Sequence, residues 1–514
     1  MKKLMTRNTL LLSVVGLAMV FALQFRPIDD FDIFWQIKLG ELMLDRWELI
    51  RSDLFSYSHF GQSVPTVGWL AQIAFALIYS VSGWFGLQII AGILLAGAFV
   101  LAGWSACSGI GRQQNQLSVF SLITAVVMGF LAALTNSSVR PQLIGLLCFA
   151  GLLHLAGGSR PFWRNLLILL FILLIWQNSH PSVLIGVFAL LPGLGVKWVG
   201  YFRNLYLKFR SPNLLATSSP AMSALDTRKS ASHAPPWSFT LITAVVGLSQ
   251  FGTPEGFRIT ELSATNLLVS RDWLGSTEWL PSWAAEVRAA VAVFWGELFL
   301  TLLLLCRLRF RWRWIDGLTF LTMTALALYA ARFVIFWSVA MVPLWARWIE
   351  QARPSGLFAF DGQAEVGRRV FVWVAVLGSA LVLLLPNLLR TLSGQSRFSE
   401  EIPLLAVSRL KSVVPAGRIY NYREYSGPLI LAGFPDWQIN IDGRLYLYDI
   451  TDWIEYNRAA DGQIPLDELV LIHQPAAFFL RPSFDRKLVE LLRRSPRWRQ
   501  DFCDLNAVIF LPSR

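Results

Sequence analysis

The string NTLLLSVVGLAMVFALQF, residues 8–25, carries no charge and runs directly into RPIDDFDIFWQ, residues 26–36. The first string has nearly the roughly 20 residues that an α-helix needs to cross the hydrocarbon of a bilayer. Lys2, Lys3 and Arg7 precede it, and three carboxylates, Asp29, Asp30 and Asp32, crowd its far end. No small-x-small cleavage pattern occurs before Arg26, so the string reads as an uncleaved first span with a cytoplasmic N-terminus and not as a removable signal.

The same pattern repeats outward along the chain. Uncharged runs occupy residues 54–111, 113–139, 141–159, 165–196, 238–254 and 370–389, residues 289–306 are interrupted only by Glu297, and residues 317–346 only by Arg332. With 55% hydrophobic and 15% charged residues among 514, and a mean hydropathy of +0.50, most of the chain belongs in lipid. The net charge of +12 sits in short loops between apolar runs, which is a topology signal and excludes a nucleic-acid partner. Four cysteines without a CxxC pair point to neither a disulfide framework nor a metal cluster.

Placing the basic loops in the cytoplasm sets the topology. The run 165–196 is long enough for a short pair broken at His180 and Pro181, and the run 317–346 for a second pair joined at Arg332. Eleven spans then put the loops 26–66 and 252–288 and everything after Arg390 outside, and the Ser-, Ala- and Pro-rich loop 197–237 inside. After Arg390 strand and helix signals alternate: residues 418–422, 438–441 and 476–480 read as strands and 485–494 as an amphipathic helix. The expected fold is an α-helical polytopic membrane domain of about 11 transmembrane helices, residues 1–390, followed by a small external α/β domain, residues 391–514.

Carboxylates such as Asp30 and Asp32, pressed against a membrane face, can act as a general base or hold a divalent cation. From spacing alone they read equally as acidic caps at a helix start. Arg332 is costly in lipid unless it faces a cavity, the bundle interior or the interface; it either binds a lipid phosphate or snorkels from a hairpin tip. Glu297 is either a partner for such an arginine or a cavity residue. Arg140 and His180 each precede a proline at the level where a carrier phosphate would enter, with helix anchoring and capping as the plainer roles. In the final domain Asp442, Arg444 and Tyr446 follow a strand, where ligands commonly bind, and Tyr448, Trp437 and Trp453 offer stacking surfaces for sugar rings. The alternative is an Asp442–Arg444 ion pair with aromatics packing the domain onto the bundle.

The run Asp30-Phe-Asp32-Ile-Phe-Trp35-Gln36, then Ser52-Asp53-Leu-Phe55-Ser56-Tyr57-Ser58 and Gly68-Trp69-Leu70, resembles the first external loop of bacterial membrane proteins related to the GT-C glycosyltransferases. Arg140-Pro141-Gln142, Trp176-Gln-Asn178-Ser-His180, Phe251-Gly-Thr-Pro254-Glu-Gly256, Glu278-Trp279 and Ile441-Asp442-Gly443-Arg444 extend the resemblance, in order, over nearly the whole chain. Relatives tend to carry His where Gln36 stands, Glu where Gly68 stands and Gly where Pro181 stands. The resemblance implies transfer of a sugar from a polyprenyl-phosphate or polyprenyl-diphosphate carrier to an envelope glycan or protein acceptor at the outer face of the inner membrane. It also implies a catalytic base at Asp30 or Asp32; Arg140, His180 and Arg332 are, from their positions, the candidates for the donor phosphate. A non-catalytic scaffold or lipid-binding subunit of envelope polysaccharide assembly is the alternative. A secondary transporter would show repeated halves, which the sequence lacks.

Overall fold

The computed structural model describes residues 2–108, 117–134, 137–157, 162–210, 236–273, 276–308, 313–352 and 396–513, together with 385 and 389. The expected span at 370–389 and the stretch 211–236 fall almost wholly outside these residues, as do residues 309–312 of the basic string 307–313.

Three described helical stretches are long and apolar enough to cross a membrane: Trp69–Cys107, Leu184–Leu207 and Ala331–Ala352. Six shorter apolar stretches accompany them, among them Thr9–Leu23, Val119–Ala133 and Trp314–Tyr329. The bundle is built around a helix that is buried on nearly every face, Val334–Ala352, which packs on Val119–Ala133, Ala292–Arg307 and Trp314–Tyr329. Two of its tryptophans satisfy their indole N–H groups inside the apolar core: Trp337 donates to Thr324 Oγ1 at 3.0 Å and Trp345 to Thr301 Oγ1 at 2.8 Å.

Two helix breaks fall where the sequence places them. The helices Phe162–Ser179 and Leu184–Arg210 part at His180 and Pro181. The second break follows Trp314–Tyr329, where Ala330 takes an extended conformation, and a single 3-10 turn, Ala331–Phe333, then leads into Val334–Ala352. The freed backbone groups there are satisfied by the preceding loop, since Ala331 N–H donates to Leu280 C=O at 3.0 Å and Ser282 N–H to Leu328 C=O at 3.1 Å.

Residues 54–66, at the start of an uncharged run, are not helical, and the 40-residue helix Trp69–Ser108 is interrupted at Gly83, whose φ of 60° breaks the helical path. A separate helix, Asp32–Arg46, lies against it. Asp30 Oδ1 caps this helix by accepting the N–H groups of Asp32 at 2.7 Å and Ile33 at 3.0 Å.

Residues 404–512 form the small α/β unit. Its five strands are β1 (Gly417–Asn421), β2 (Trp437–Ile439), β3 (Ala477–Leu480), β4 (Trp498–Cys503) and β5 (Val508–Pro512), in the spatial order β2-β1-β3-β5-β4. The parallel pairs β1–β2 and β1–β3 correspond to the strands read from sequence, whereas the antiparallel β4–β5 hairpin is an addition to that reading. The edge of β2 is covered by the segment 26–66: Ile439 N–H donates to Phe55 C=O at 2.9 Å, and Tyr57 N–H to Ile439 C=O at 3.1 Å. Trp35, Leu39, Met43, Ile50 and Phe55 of that segment share one apolar core with Ile419, Trp437 and Ile439 of the sheet. Trp437 and Trp453 lie in that core, so neither is a platform for a sugar.

Candidate active site

Five separate segments of the membrane portion converge on one cavity of about 580 Å³. The loop after the first helix brings Asp29, Asp30 and Asp32; the start of Gln142–Gly157 brings Arg140; the 180–181 break brings His180; the turn Thr277–Trp279 brings Glu278; and the 3-10 turn Ala331–Phe333 brings Arg332. The α/β unit closes one wall with Arg423, Glu424, Gly443 and Tyr446.

The charged wall is a chain of ion pairs. Asp30, 2% exposed, pairs with Arg140, whose Nη1 donates to Glu278 Oε2 at 2.8 Å. Glu278 Oε1 in turn lies 3.5 Å from Arg332 Nη1, and the Arg332 guanidinium rests 4.1 Å from the centre of the Trp279 ring. Asp29 pairs with Arg26 at 3.1 Å and accepts the Ser138 hydroxyl at 2.5 Å. Burial alone would raise the Glu278 carboxyl, but the Arg332 and Arg140 charges outweigh it and hold the group at about 2. Glu278 is therefore an ionised hub between two cations.

Asp30 and Asp32 differ in their engagement. Asp30 serves both as helix cap and as ion-pair partner. Among the described residues Asp32 forms no ion pair and accepts one side-chain hydrogen bond, from Trp35 Nε1 at 2.9 Å. Burial, reinforced by the neighbouring Asp30 charge and opposed by the Trp35 bond, pushes the Asp32 carboxyl up to about 7. Gly443 lies so close that a Cβ there would overlap Asp32 Oδ1, which is why the strand-end turn of the α/β unit carries glycine at this point. His180 is driven the other way by burial and by Arg332, down to about 3, so its imidazole is neutral.

Of the expected site residues, Asp30, Asp32, Arg140, His180, Arg332 and Tyr446 all line this cavity. Asp442 and Arg444 do not. Both are buried: Arg444 Nη2 lies 2.6 Å from Asp442 Oδ2 and 2.5 Å from Asp53 Oδ1, so the guanidinium is held internally between two carboxylates. Tyr448 is buried beside them, its hydroxyl accepting the Asp442 N–H at 3.1 Å. Glu297 neither lines the cavity nor pairs with Arg332, whose partner is Glu278. The sequence assigned no role to Glu278, Arg423 or Glu424; the signal for Glu278 was a carboxylate beside Trp279 in the segment 252–288. Among the described residues, no three His, Cys, Asp or Glu side chains converge in a way that could hold a metal ion.

Fold and cavity together define a multi-helix membrane protein with a charged cavity between its helices and the α/β unit. In particular, the fold is shared with ArnT from Cupriavidus metallidurans in the apo state, at a TM-score of 0.51 and 11% identity over 98% of both chains. The same protein bound to undecaprenyl phosphate gives 0.49 and 12% identity over 98% of this chain and 97% of that one. The arabinofuranosyltransferase AftD from Mycobacteria gives 0.42 and 12%, with 98% of this chain covering 40% of its own. The first of the three shows a common fold, and the other two add no argument to it. No family model matches the chain, and no curated protein matches it in sequence.

Proposed function

We propose that the chain is a membrane glycosyltransferase that takes a sugar from a polyprenyl-phosphate or polyprenyl-diphosphate carrier and transfers it to an envelope glycan or protein at the periplasmic face of the bacterial inner membrane. The observation that carries this reading is the convergence, in one cavity, of an unpaired carboxylate near neutral pKa with two guanidiniums and a neutral imidazole. In this reading eleven spans place residues 26–66, 252–288 and 391–514 outside.

Asp32 acts as the base. It takes the proton of an acceptor hydroxyl, the hydroxyl oxygen forms a bond to the anomeric carbon, and the bond from that carbon to the carrier phosphate oxygen breaks. The bonding pair leaves with the phosphate, whose charge meets Arg140 and Arg332. Asp30 positions the helix that carries Asp32, and it positions Arg140. A divalent cation, if the reaction uses one, would draw on Asp30 and Asp32. Tyr446 and the wall from the α/β unit face the acceptor.

The experiment is complementation of a deletion strain by Asp32→Asn, with envelope glycans and polyprenyl-linked sugars profiled by mass spectrometry. Loss of one modification, with accumulation of its carrier-linked donor at normal protein level, is the expected result. Full complementation would instead favour a scaffold that retains the fold without chemistry, a reading to which the substitutions at Gln36 and Gly68 give some support.

A further inference from the structure

The cavity has a second wall that the ion pairs do not reach. Gln36, Gln72, Gln142, Ser179 and His180 line it, and all are uncharged, His180 included. Three of them hold buried polar atoms without a hydrogen-bond partner: Gln36 Oε1, Ser179 Oγ and His180 Nδ1. Ser179 is 1% exposed, and Gly68, at φ +74°, stands against its carbonyl with room for no comfortable side chain, since a Cβ would lie 3.1 Å from that oxygen. Buried polar groups are ordinarily paired, so three orphans on one cavity wall mark a place where a ligand supplies the partners. The types available are an amide oxygen, a hydroxyl and a bare imidazole nitrogen. Such acceptors match neutral O–H donors, and neither a carboxylate nor an ammonium would find an opposite charge among them.

We infer that this wall holds the sugar of the donor, and that the sugar is uncharged and rich in hydroxyl groups. The inference rests on the donor reading above and narrows it to a substrate class. Asp32 lies one helical turn from Gln36 on Asp32–Arg46, which puts the base beside the sugar. A uronate is disfavoured because Arg140 and Arg332 are already committed to Glu278 and, on binding, to phosphate, and Arg423 is paired with Glu424.

The test measures binding to the full chain in lipid nanodiscs, with four probes: undecaprenyl phosphate alone, and the same carrier bearing glucose, glucuronic acid or glucosamine. The glucose form should bind about tenfold more tightly than the bare carrier, the factor expected of one or two neutral hydrogen bonds. The two charged forms should bind no more tightly than the bare carrier. Ser179→Ala and Gln36→Leu, both close in volume to the native side chains, should each diminish the glucose increment and together remove it, with the bare carrier bound as before; melting curves verify that the variants fold. Equal binding of a charged sugar, or an increment that survives the double substitution, overturns the inference. Failure of the bare carrier to bind is a different result: it overturns the donor reading, and this inference with it.

Discussion

Arg444 Nη2 lies 2.5 Å from Asp53 Oδ1 across 391 residues of sequence, with both side chains withdrawn from solvent. Asp53 also accepts Ser56 N–H at 3.1 Å and the Ser56 hydroxyl at 2.5 Å, so one buried group fixes the segment 26–66 and, through Arg444, the α/β unit. Removing one partner of a buried ion pair leaves an uncompensated charge and costs about 3–5 kcal/mol, whereas removing the whole set together costs far less. Arg444→Met should therefore lower the melting temperature sharply, and Asp53→Asn with Asp442→Asn in the same chain should restore much of it. A melting curve for Arg444→Met that matches wild type would remove the network from the account of how the two parts are held.

The two neighbouring carboxylates should separate by phenotype. Asp30→Asn loses the ion pair to Arg140 and weakens a helix cap, so thermal stability is expected to fall by several kcal/mol, on the scale of about 3–5 for a broken buried pair. Asp32→Asn keeps the fold and reduces transfer by about 10²–10⁴-fold, the usual contribution of a general base. Thermal melts in detergent alongside donor turnover distinguish the pair, and a reversed assignment would make Asp30 the base.

With Asp32 near 7 and active only when deprotonated, transfer should rise with pH through about 7 and fall about tenfold per unit below it. Glu278, held at about 2, and His180, at about 3, keep their charge states over pH 5.5–8.5 and should add no further limb to the profile. A flat rate profile across that interval, or one that declines as pH rises, contradicts this assignment of the base.

Arg332→Gln should weaken binding of undecaprenyl phosphate by about 10–100-fold, the range for losing a charge-assisted hydrogen bond to phosphate. Glu278→Gln should act in the opposite direction, because it releases both guanidiniums from their internal carboxylate. Titration of the lipid against both variants in nanodiscs reads the two effects, and an unchanged affinity in both would place the carrier phosphate elsewhere.

Two exposed native cysteines report topology. Cys503 lies on β4 of the α/β unit, and Cys306 at the end of Ala292–Arg307 beside the basic residues 307–313. A membrane-impermeant maleimide applied to intact spheroplasts should label Cys503 and leave Cys306 unlabelled until the membrane is opened. Labelling of Cys306 alone would invert the orientation.

Apolar runs of span length, the breaks at His180–Pro181 and Arg332, the change in composition after Arg390 and the first three strands were all legible in the sequence. Each is a local property: hydrocarbon thickness, proline and charge act on the residues that carry them. The last hairpin, β4–β5, escaped notice because Arg499, Gln500 and Asp501 give its outer strand a polar reading, and its pairing is set by β3 on the far side of β5. The candidate site was half legible. Its acids, arginines and histidine stood out by type and place, yet their roles did not, since the sequence made Asp30 and Asp32 equal and gave Asp442 and Arg444 to a ligand. What the sequence by itself determined is a multi-pass membrane chain with an α/β end and a set of charged residues clustered near its loops. What only the tertiary structure decided is which charges neutralise one another, because pairing such as Asp30 with Arg140 or Arg444 with Asp53 depends on distances between segments far apart in the chain, and burial then fixes which carboxylate is left free to react.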